Sequence, residues 1–237
     1  MARGVTKGSQ SQKQIPREVR SAGETSTIFS LRVELLCAGA VFLVGLGVYS
    51  WTLAPTVTPT DSGELILAAY GLGVAHPPGV PLWIMLTHLA ALMPIGNVAL
   101  RINFSSAVFA ALACAMLTLV VAELLVTASS FAAPRRKNKP ARQSSNVEST
   151  NGLLIFAPAV GAGLLMAFSR TLWAYATITE VYALNALLIL LVFFLAAHWR
   201  RRIIETRRNS SAAETTHDTW IYAAAFVFGL AMGVHHV

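Results

Sequence analysis

Long, uninterrupted apolar runs are the feature that most restricts the fold of this chain. Five runs, near 33–54, 101–126, 152–172, 182–199 and 219–234, are long enough, or nearly so, to cross a hydrocarbon core, which needs about 20 apolar residues. Only 12% of the residues are charged, against roughly a quarter in soluble domains. Because a segment inside a bilayer must satisfy its own backbone hydrogen bonds, the sequence predicts an all-α, polytopic membrane protein with about five transmembrane helices.

Two shorter apolar segments lie between the first two of these runs. Residues 80–93 are bounded by prolines and interrupted by His88, and their length suits an interfacial or re-entrant helix better than a crossing. Residues 62–71 are apolar enough to lie along the membrane surface as a second short helix. The loop 55–100 is therefore predicted to hold interfacial helices.

The basic residues are distributed very unevenly between the two sides that these runs define. Sixteen of the 18 lysines and arginines fall in 1–32, 135–142 and 200–208, and only Arg101 and Arg170 fall on the other side. The positive-inside rule then places the N-terminus and the loops 127–151 and 200–218 in the cytosol, and the loops 55–100 and 173–181 in the lumen or exterior. The basic clusters are interpreted as topological anchors and not as a nucleic-acid surface.

Residues 1–30 are basic, polar and poor in large apolar side chains, which predicts a disordered cytosolic tail. Most of 132–151 and 205–217 has the same character, and 31–237 forms one transmembrane domain. The final run ends abruptly in GVHHV, so we expect the chain to be the N-terminal part of a longer protein. Its two cysteines lie inside apolar runs and indicate neither a disulfide framework nor a metal site.

An acidic motif follows the first run, where Asp61-Ser62-Gly63-Glu64 comes directly after Pro59-Thr60. Asp61 as N-cap and Glu64 at the third helical position fit a capping box, which would explain both carboxylates without catalysis. Charged groups beside a bilayer are costly unless they have a task or a partner, which favours a functional site. The residues alone leave both interpretations open.

His76-Pro77-Pro78-Gly79 is the second polar element of the same loop, and its four residues are candidates for binding a substrate. The prolines fix φ and remove backbone donors, so a stiff connecting turn accounts for them. A stiff turn does not by itself explain why a histidine stands at position 76. A histidine here could bind a phosphate, relay a proton or cap a helix.

Four further residues on the same predicted side are candidates for binding a substrate. Arg101 begins the second run and either snorkels to headgroups or clamps a phosphate. Arg170, Glu180 and Tyr182 surround the next loop on that side, where Glu180 is either a helix-dipole partner or a functional carboxylate. His235 and His236 are also substrate-binding candidates, but adjacent histidines chelate poorly and no metal is assigned. The sequon Asn103-Phe104-Ser105 lies at the start of a run and is expected to be unused.

Taken together, these motifs resemble a known family. PTDSGELILAAYGLGVAHPPGVPLW, MPIGNVALRINFSSA, TEVYALN and the terminal histidine pair are similar to a family of polytopic glycosyltransferases related to protein O-mannosyl-transferases. That family, formerly labelled a domain of unknown function, belongs to the C-type glycosyltransferase superfamily. The resemblance covers about residues 33–237, and its first block is the most specific part.

The resemblance implies a membrane enzyme that uses a lipid-phosphate-linked sugar as donor. Asp61 and Glu64 match the family's catalytic acidic motif, with Asp61 as the general base that deprotonates an acceptor hydroxyl. A sugar, with mannose favoured, would pass from polyprenyl phosphate to protein serine or threonine with inversion. His76, Arg101 and Arg170 would bind the leaving phosphate, and Glu180 would orient the acceptor or the sugar.

Two alternatives remain at this stage. One is a non-catalytic polytopic protein, such as a transporter or an assembly subunit, which would place ionisable residues inside the spans. The other is a glycosyltransferase that acts on lipid or glycan. The sequence indicates no nucleic-acid partner and assigns no cofactor. The membrane would be the endoplasmic reticulum in a eukaryote or the inner membrane in a bacterium.

Overall fold

A computed structural model describes residues 17–59, 61–77, 79–132, 144–208 and 218–234. The chain divides into two units, Met1–Val33 and Glu34–Val237. In the first unit the described part is helical from Arg17 onward. This helix begins inside the basic tail, and the predicted disorder of 1–30 stays a prediction. The second unit holds every contact discussed below.

The described residues form eight helices and no strand, which confirms the all-α prediction. In chain order the helices are α1 (Arg17–Trp51), α2 (Ser62–Gly71), α3 (Pro81–Ala91), α4 (Val98–Ala132), α5 (Ser144–Ala167), α6 (Arg170–Ala176), α7 (Tyr182–Arg208) and α8 (Thr219–Ala231).

Three helices of the described chain are long and apolar enough to cross a membrane: Arg32–Trp51 within α1, Val98–Ser129 within α4, and Tyr182–Thr206 within α7. The other two predicted crossings are helices with shorter apolar parts, Phe156–Ala167 and Thr219–Ala231. The predicted run 152–172 does not form one helix. It breaks after Ala167, and Ser169 caps a separate short helix, α6, by accepting a hydrogen bond from the Leu172 N–H.

Helices α2 and α3 appear where the sequence predicts short helices, and both are too short to span a bilayer. Their outward faces are rich in exposed apolar side chains, among them Leu67, Met85 and Leu89. An apolar outer face on a helix of 10 or 11 residues agrees with the interfacial position expected from the sequence.

Helix α4 lies at the centre of the bundle and packs through small residues. Ala107, Ala110, Ala111 and Cys114 are completely buried between α1, α5 and α7. Gly163 of α5 comes so close that an added Cβ would overlap the hydroxyl of Thr118 and lie 2.9 Å from the carbonyl oxygen of Cys114. Such small-residue contacts let helix backbones approach in membrane proteins, where dispersion replaces much of the hydrophobic drive.

Contacts between helix ends define two ends of this bundle. At one end, the Ala54 N–H after α1 donates to the Thr177 carbonyl before α7, and the Leu82 N–H of α3 donates to the Gly233 carbonyl after α8. At the opposite end, the rings of His198 and Trp220 meet edge to face, 4.7 Å between centroids. Helix α8 therefore runs antiparallel to α7, along the apolar half of that helix.

A buried ionic cluster joins α4 and α7 at the second end. The Arg201 Nε donates to Glu123 Oε1 over 2.6 Å, and the His198 Nδ1 lies 3.4 Å from the same oxygen. Glu123 is only 4% exposed. Because a buried carboxylate is costly unless it is paired, removing its basic partners would leave an uncompensated charge between the two helices.

Candidate active site

A cavity of about 130 Å³ opens at the first end of the bundle, where α2, the 72–80 connection and the start of α7 meet. Its lining includes Asp61, His76, Pro77, Glu180 and Tyr182, together with four apolar residues. Five residues selected from the sequence, from three separate stretches of chain, thus meet in one place. A pocket with apolar walls and a few convergent polar groups is typical of small-ligand sites.

Asp61 is the N-cap residue of α2, as the sequence predicts, but it does not close a capping box. Its backbone is already helical, with φ −82° and ψ −2°, and its side chain makes no capping hydrogen bond. The side chain is exposed at the cavity. Since helix capping does not occupy this carboxylate, it is available to a substrate.

Glu64 contacts the His-Pro-Pro-Gly turn and not the start of its own helix. Its Oε1 accepts a 2.6 Å hydrogen bond from the His76 backbone N–H, and its Oε2 lies 3.1 Å from the His76 Nδ1. These bonds, the backbone one first, lower the pKa of Glu64 below its ordinary value. The carboxylate thereby fixes the imidazole through Nδ1 and leaves Nε2 as its second functional nitrogen.

The turn that carries His76 is closed by a backbone hydrogen bond. The Gly79 N–H donates to the His76 carbonyl over 2.9 Å, and Gly79 has φ +97°, a conformation that favours glycine. The next residue, Val80, also has a positive φ of 38° and lines the cavity. A β-branched residue in this region is strained, and such strain concentrates at functional sites.

Glu180 brings a second carboxylate to the cavity from the α6–α7 turn. Burial raises its pKa, and the negative charge of Asp61 raises it further, while a backbone hydrogen bond and the nearby His76 act in the opposite direction. Two carboxylates in one cavity, one of them holding its proton to higher pH, can divide the work of accepting and donating hydrogen bonds.

A buried polar network lies behind these two carboxylates. The Asn103 Nδ2 donates to the carbonyls of Ala54 (2.8 Å) and Thr56 (3.2 Å), and the Asn103 Oδ1 accepts from the Thr179 hydroxyl. The Ser62 hydroxyl donates to the Thr179 carbonyl over 3.1 Å. Asn103, Thr179 and Ser62 are all completely buried.

The two arginines selected from the sequence do not line the cavity. The Arg101 guanidinium donates to the carbonyls of Ala91, Ile95 and Gly96, at 2.9, 2.5 and 2.9 Å. It thus satisfies backbone groups between α3 and α4, in place of the phosphate clamp expected from the sequence. Arg170 is exposed at the first position of α6.

Tyr182 completes the rim of the cavity. Its side chain is 40% exposed, and its ring packs against that of Tyr175 with 4.5 Å between centroids. The sequence analysis did not select Tyr175. Three other predicted site residues, Pro78, His235 and His236, lie outside the described part of the chain.

The sequence analysis also missed Asn103, Thr179 and Ser62 as contributors to the site. In the sequence Asn103 is recognisable only as part of a sequon, and its side chain is completely buried. The available signal was the cluster of amide and hydroxyl side chains in Asn103-Phe104-Ser105-Ser106, at the start of an apolar run. Buried polar groups in such a position need partners, so they point to a network.

The fold and the cavity together define a polytopic helical membrane protein with a carboxylate and imidazole site at one end of its bundle. Residues 61–237 match the family model described as the protein O-mannosyl-transferase TMEM260 N-terminal domain. The chain therefore belongs to this O-mannosyl-transferase family, and the family resemblance inferred from its motifs is confirmed.

Two named relatives show the extent of the similarity. The chain is 34% identical over 151 residues to the protein O-mannosyl-transferase TMEM260 of Mus musculus, an alignment that covers 63% of this chain and 18% of the mouse protein. It is 36% identical over 90 residues to the protein of the same name from Dictyostelium discoideum, covering 37% of this chain and 11% of that protein. The matched segment thus spans less than a fifth of either relative. No solved structure matches the chain.

Proposed function

We propose that this chain carries the catalytic site of a membrane mannosyltransferase that acts on protein serine and threonine hydroxyls. The observation that supports this function best is the cavity that joins Asp61, Glu180 and His76. The names of the relatives, protein O-mannosyl-transferase, agree with this chemistry. The donor would be mannose linked to a polyprenyl phosphate such as dolichyl phosphate.

The reaction is a single displacement at the anomeric carbon of the sugar. The acceptor hydroxyl oxygen forms a bond to that carbon while the bond from the carbon to the phosphate oxygen breaks. The hydroxyl proton passes to the Asp61 carboxylate, and polyprenyl phosphate leaves with the bonding electron pair. The configuration is inverted, and no external oxidant or reductant is needed.

Each cavity residue has a task in this scheme. Asp61 is suited to the general base because its side chain is exposed and makes no capping bond. Glu64 orients His76, whose Nε2 faces the leaving phosphate. Arg170 lies outside the cavity, at the start of α6, and adds positive charge at the same end of the bundle. Glu180 binds hydroxyls of the sugar or acceptor through its carboxyl group, since this residue lines the cavity together with Asp61. Tyr182 contributes an exposed ring at the rim.

The orientation follows from the distribution of basic residues. Arg101 and Arg170 lie toward the cavity end, whereas the other 16 basic residues fall in the stretches 1–32, 135–142 and 200–208 of the sequence. We place the cavity on the non-cytosolic side and the N-terminus in the cytosol. In a eukaryotic cell the proposed compartment for the reaction is the lumen of the endoplasmic reticulum.

The transporter alternative requires ionisable residues along a path through the spans. Within the described helices, the Glu123 cluster is an ionic group inside candidate spans, and its members pair with one another at the end opposite the cavity. That pairing supports a structural role. The alternative in which the acceptor is a glycan or a lipid is tested by the experiment below.

Asp61→Asn tests the proposal directly. The complete protein, as wild type or variant, is expressed in cells that lack it, and their membranes receive dolichyl phosphate carrying labelled mannose. We expect Asp61→Asn to reduce transfer to protein about 10²–10⁴-fold, because the general base is lost. Label is measured separately in protein, lipid and free glycan.

Asp218→Asn is the matched control. Asp218 is the N-cap of α8, with φ −69°, ψ −17° and no capping hydrogen bond from its side chain, so its local geometry resembles that of Asp61. We expect this variant to transfer mannose at the wild-type rate. Equal transfer by wild type and Asp61→Asn would refute the proposed role, and label confined to lipid or glycan would change the acceptor class.

A further inference from the structure

We infer that Asn103, Thr179 and Ser62 are positioning residues that set the relative placement of the Asp61 and Glu180 carboxylates. The inference rests on the proposed function of the cavity. Asp61 directly precedes Ser62, and Glu180 directly follows Thr179. Each carboxylate is thus carried by a backbone segment whose neighbouring side chain belongs to the buried network.

The network joins segments that are far apart in the chain. Asn103 of α4 binds the α1–α2 connection through the carbonyls of Ala54 and Thr56, and binds the α6–α7 turn through the Thr179 hydroxyl. Three of the four hydrogen bonds available to its amide are therefore used, each to a segment beside the cavity. Replacing Asn103 would release both segments at once.

Ser62 makes the direct connection between the two carboxylate-bearing segments. Its hydroxyl donates to the Thr179 carbonyl over 3.1 Å and contacts the Thr58 hydroxyl at 2.7 Å. Ser106 of α4 adds a longer contact, 3.5 Å, to the backbone N–H and carbonyl of Glu180. The backbone on both sides of the Thr179–Glu180 peptide is therefore held.

Burial makes this arrangement stiff. Asn103, Thr179 and Ser62 are all 0% exposed, so water does not compete for their hydrogen bonds, and a lost partner leaves a polar group unsatisfied. The Asp61 and Glu180 carboxylates line the cavity and make few hydrogen bonds of their own. Precise placement must come from the network, since a displacement of about 1 Å at a reacting group can reduce a rate about 10²-fold.

Thr179→Val and Thr179→Ser form the test pair. Valine keeps the shape of threonine but removes the hydroxyl that binds Asn103, whereas serine keeps the hydroxyl. In the complete protein, with the labelled mannose donor described above, we expect Thr179→Val to lower kcat roughly 10–100-fold with little change in KM for the donor. Thr179→Ser should restore most of the rate.

Ser105→Ala is the matched control for burial and for glycosylation. Ser105 lies on α4 two residues after Asn103, is buried, and donates only within its own helix, to the Ile102 carbonyl at 2.6 Å. The substitution also removes the sequon while leaving the Asn103 contacts intact. We expect Ser105→Ala to retain the wild-type rate, and an Asn103→Ala variant to behave like Thr179→Val.

Combining Thr179→Val with Asp61→Asn separates positioning from general destabilisation. If the network acts by placing Glu180 relative to the general base Asp61, Thr179→Val causes no further loss of rate once that base is removed in Asp61→Asn. Multiplying losses, or a Thr179→Val loss that follows the folded fraction measured by thermal unfolding, would overturn the inference. Full activity of Thr179→Val beside an inactive Asp61→Asn would do the same, whereas an active Asp61→Asn would refute the proposed function itself.

Discussion

Glu180 and Glu64 lie at the same end of the bundle, yet their surroundings shift their pKa values in opposite directions. Glu64 is half exposed and accepts two hydrogen bonds from His76, which stabilise its charged form. Glu180 is partly buried beside Asp61, and both burial and the like charge favour its protonated form. One carboxylate is thus held charged while the other keeps its proton more readily.

The raised pKa of Glu180 predicts how stability depends on pH. The folded protein binds this proton more tightly than the unfolded protein does, so the free energy of unfolding falls as pH rises from the ordinary glutamate range through the raised pKa. We expect Glu180→Gln to remove this contribution. The measurement is the thermal unfolding temperature of the purified protein between about pH 5 and about pH 8.

Asp61→Asn and Glu205→Gln make this pH measurement specific. Removing the negative charge of Asp61 removes the second cause of the raised pKa, so Asp61→Asn should reduce the pH slope while burial keeps part of it. Glu205 is exposed on α7, and Glu205→Gln should leave the slope as in wild type. An unchanged slope in Glu180→Gln would show that Glu180 does not titrate as described.

At the scale of helices, close packing between α4 and α5 depends on Gly163. Because an added Cβ would overlap the Thr118 hydroxyl and approach the Cys114 carbonyl, Gly163→Ala must push the helices apart or distort them. Overpacking of this kind costs about 1–3 kcal/mol. We expect a lower unfolding temperature in detergent. The measurement is the loss of the helical circular dichroism signal on heating.

The same helix offers a matched control at Gly161. No atom lies within 4 Å of the Cβ position there, so Gly161→Ala meets open space and should leave the unfolding temperature unchanged or slightly higher. Equal destabilisation by both alanines would mean that backbone flexibility, and not the contact with α4, explains the loss.

The sequence was sufficient for the elements whose signals are local. Apolar length and positive charge predicted α1, α4 and α7, and the prolines and acidic residues predicted α2, α3 and the turn at His76. It failed where a side chain binds a group outside its own helix. The capping box suggested by Asp61 and Glu64 is not formed, because the Glu64 carboxylate accepts a hydrogen bond from the His76 backbone N–H instead. Arg101 looked like a phosphate clamp because its three carbonyl partners carry no sequence signal.

At the scale of the whole molecule, the two ends of the bundle differ in chemistry as well as in charge. The end with the cavity holds Asp61, Glu180 and His76, while the opposite end holds the buried pair of Glu123 and Arg201. Among the described basic residues, Arg200, Arg201 and Arg202 lie in the last part of α7 at that second end, and Arg101 and Arg170 lie toward the cavity end. A donor sugar on a lipid phosphate would meet the cavity at the headgroup layer, next to the apolar faces of α2 and α3.

This arrangement predicts which end an impermeant reagent reaches. Val74, 88% exposed beside the cavity, and Glu205, exposed near the end of α7, are suitable sites for single cysteines. We expect Val74→Cys to react with a membrane-impermeant maleimide only from the non-cytosolic side, and Glu205→Cys only from the cytosol. The unsubstituted chain is the control, since Cys37 and Cys114 lie at least five residues inside their candidate spans, whereas Glu205 is one residue from the end of its own. Labelling of Val74→Cys from the cytosol would place the cavity away from a lumenal donor and contradict the proposed reaction at that face.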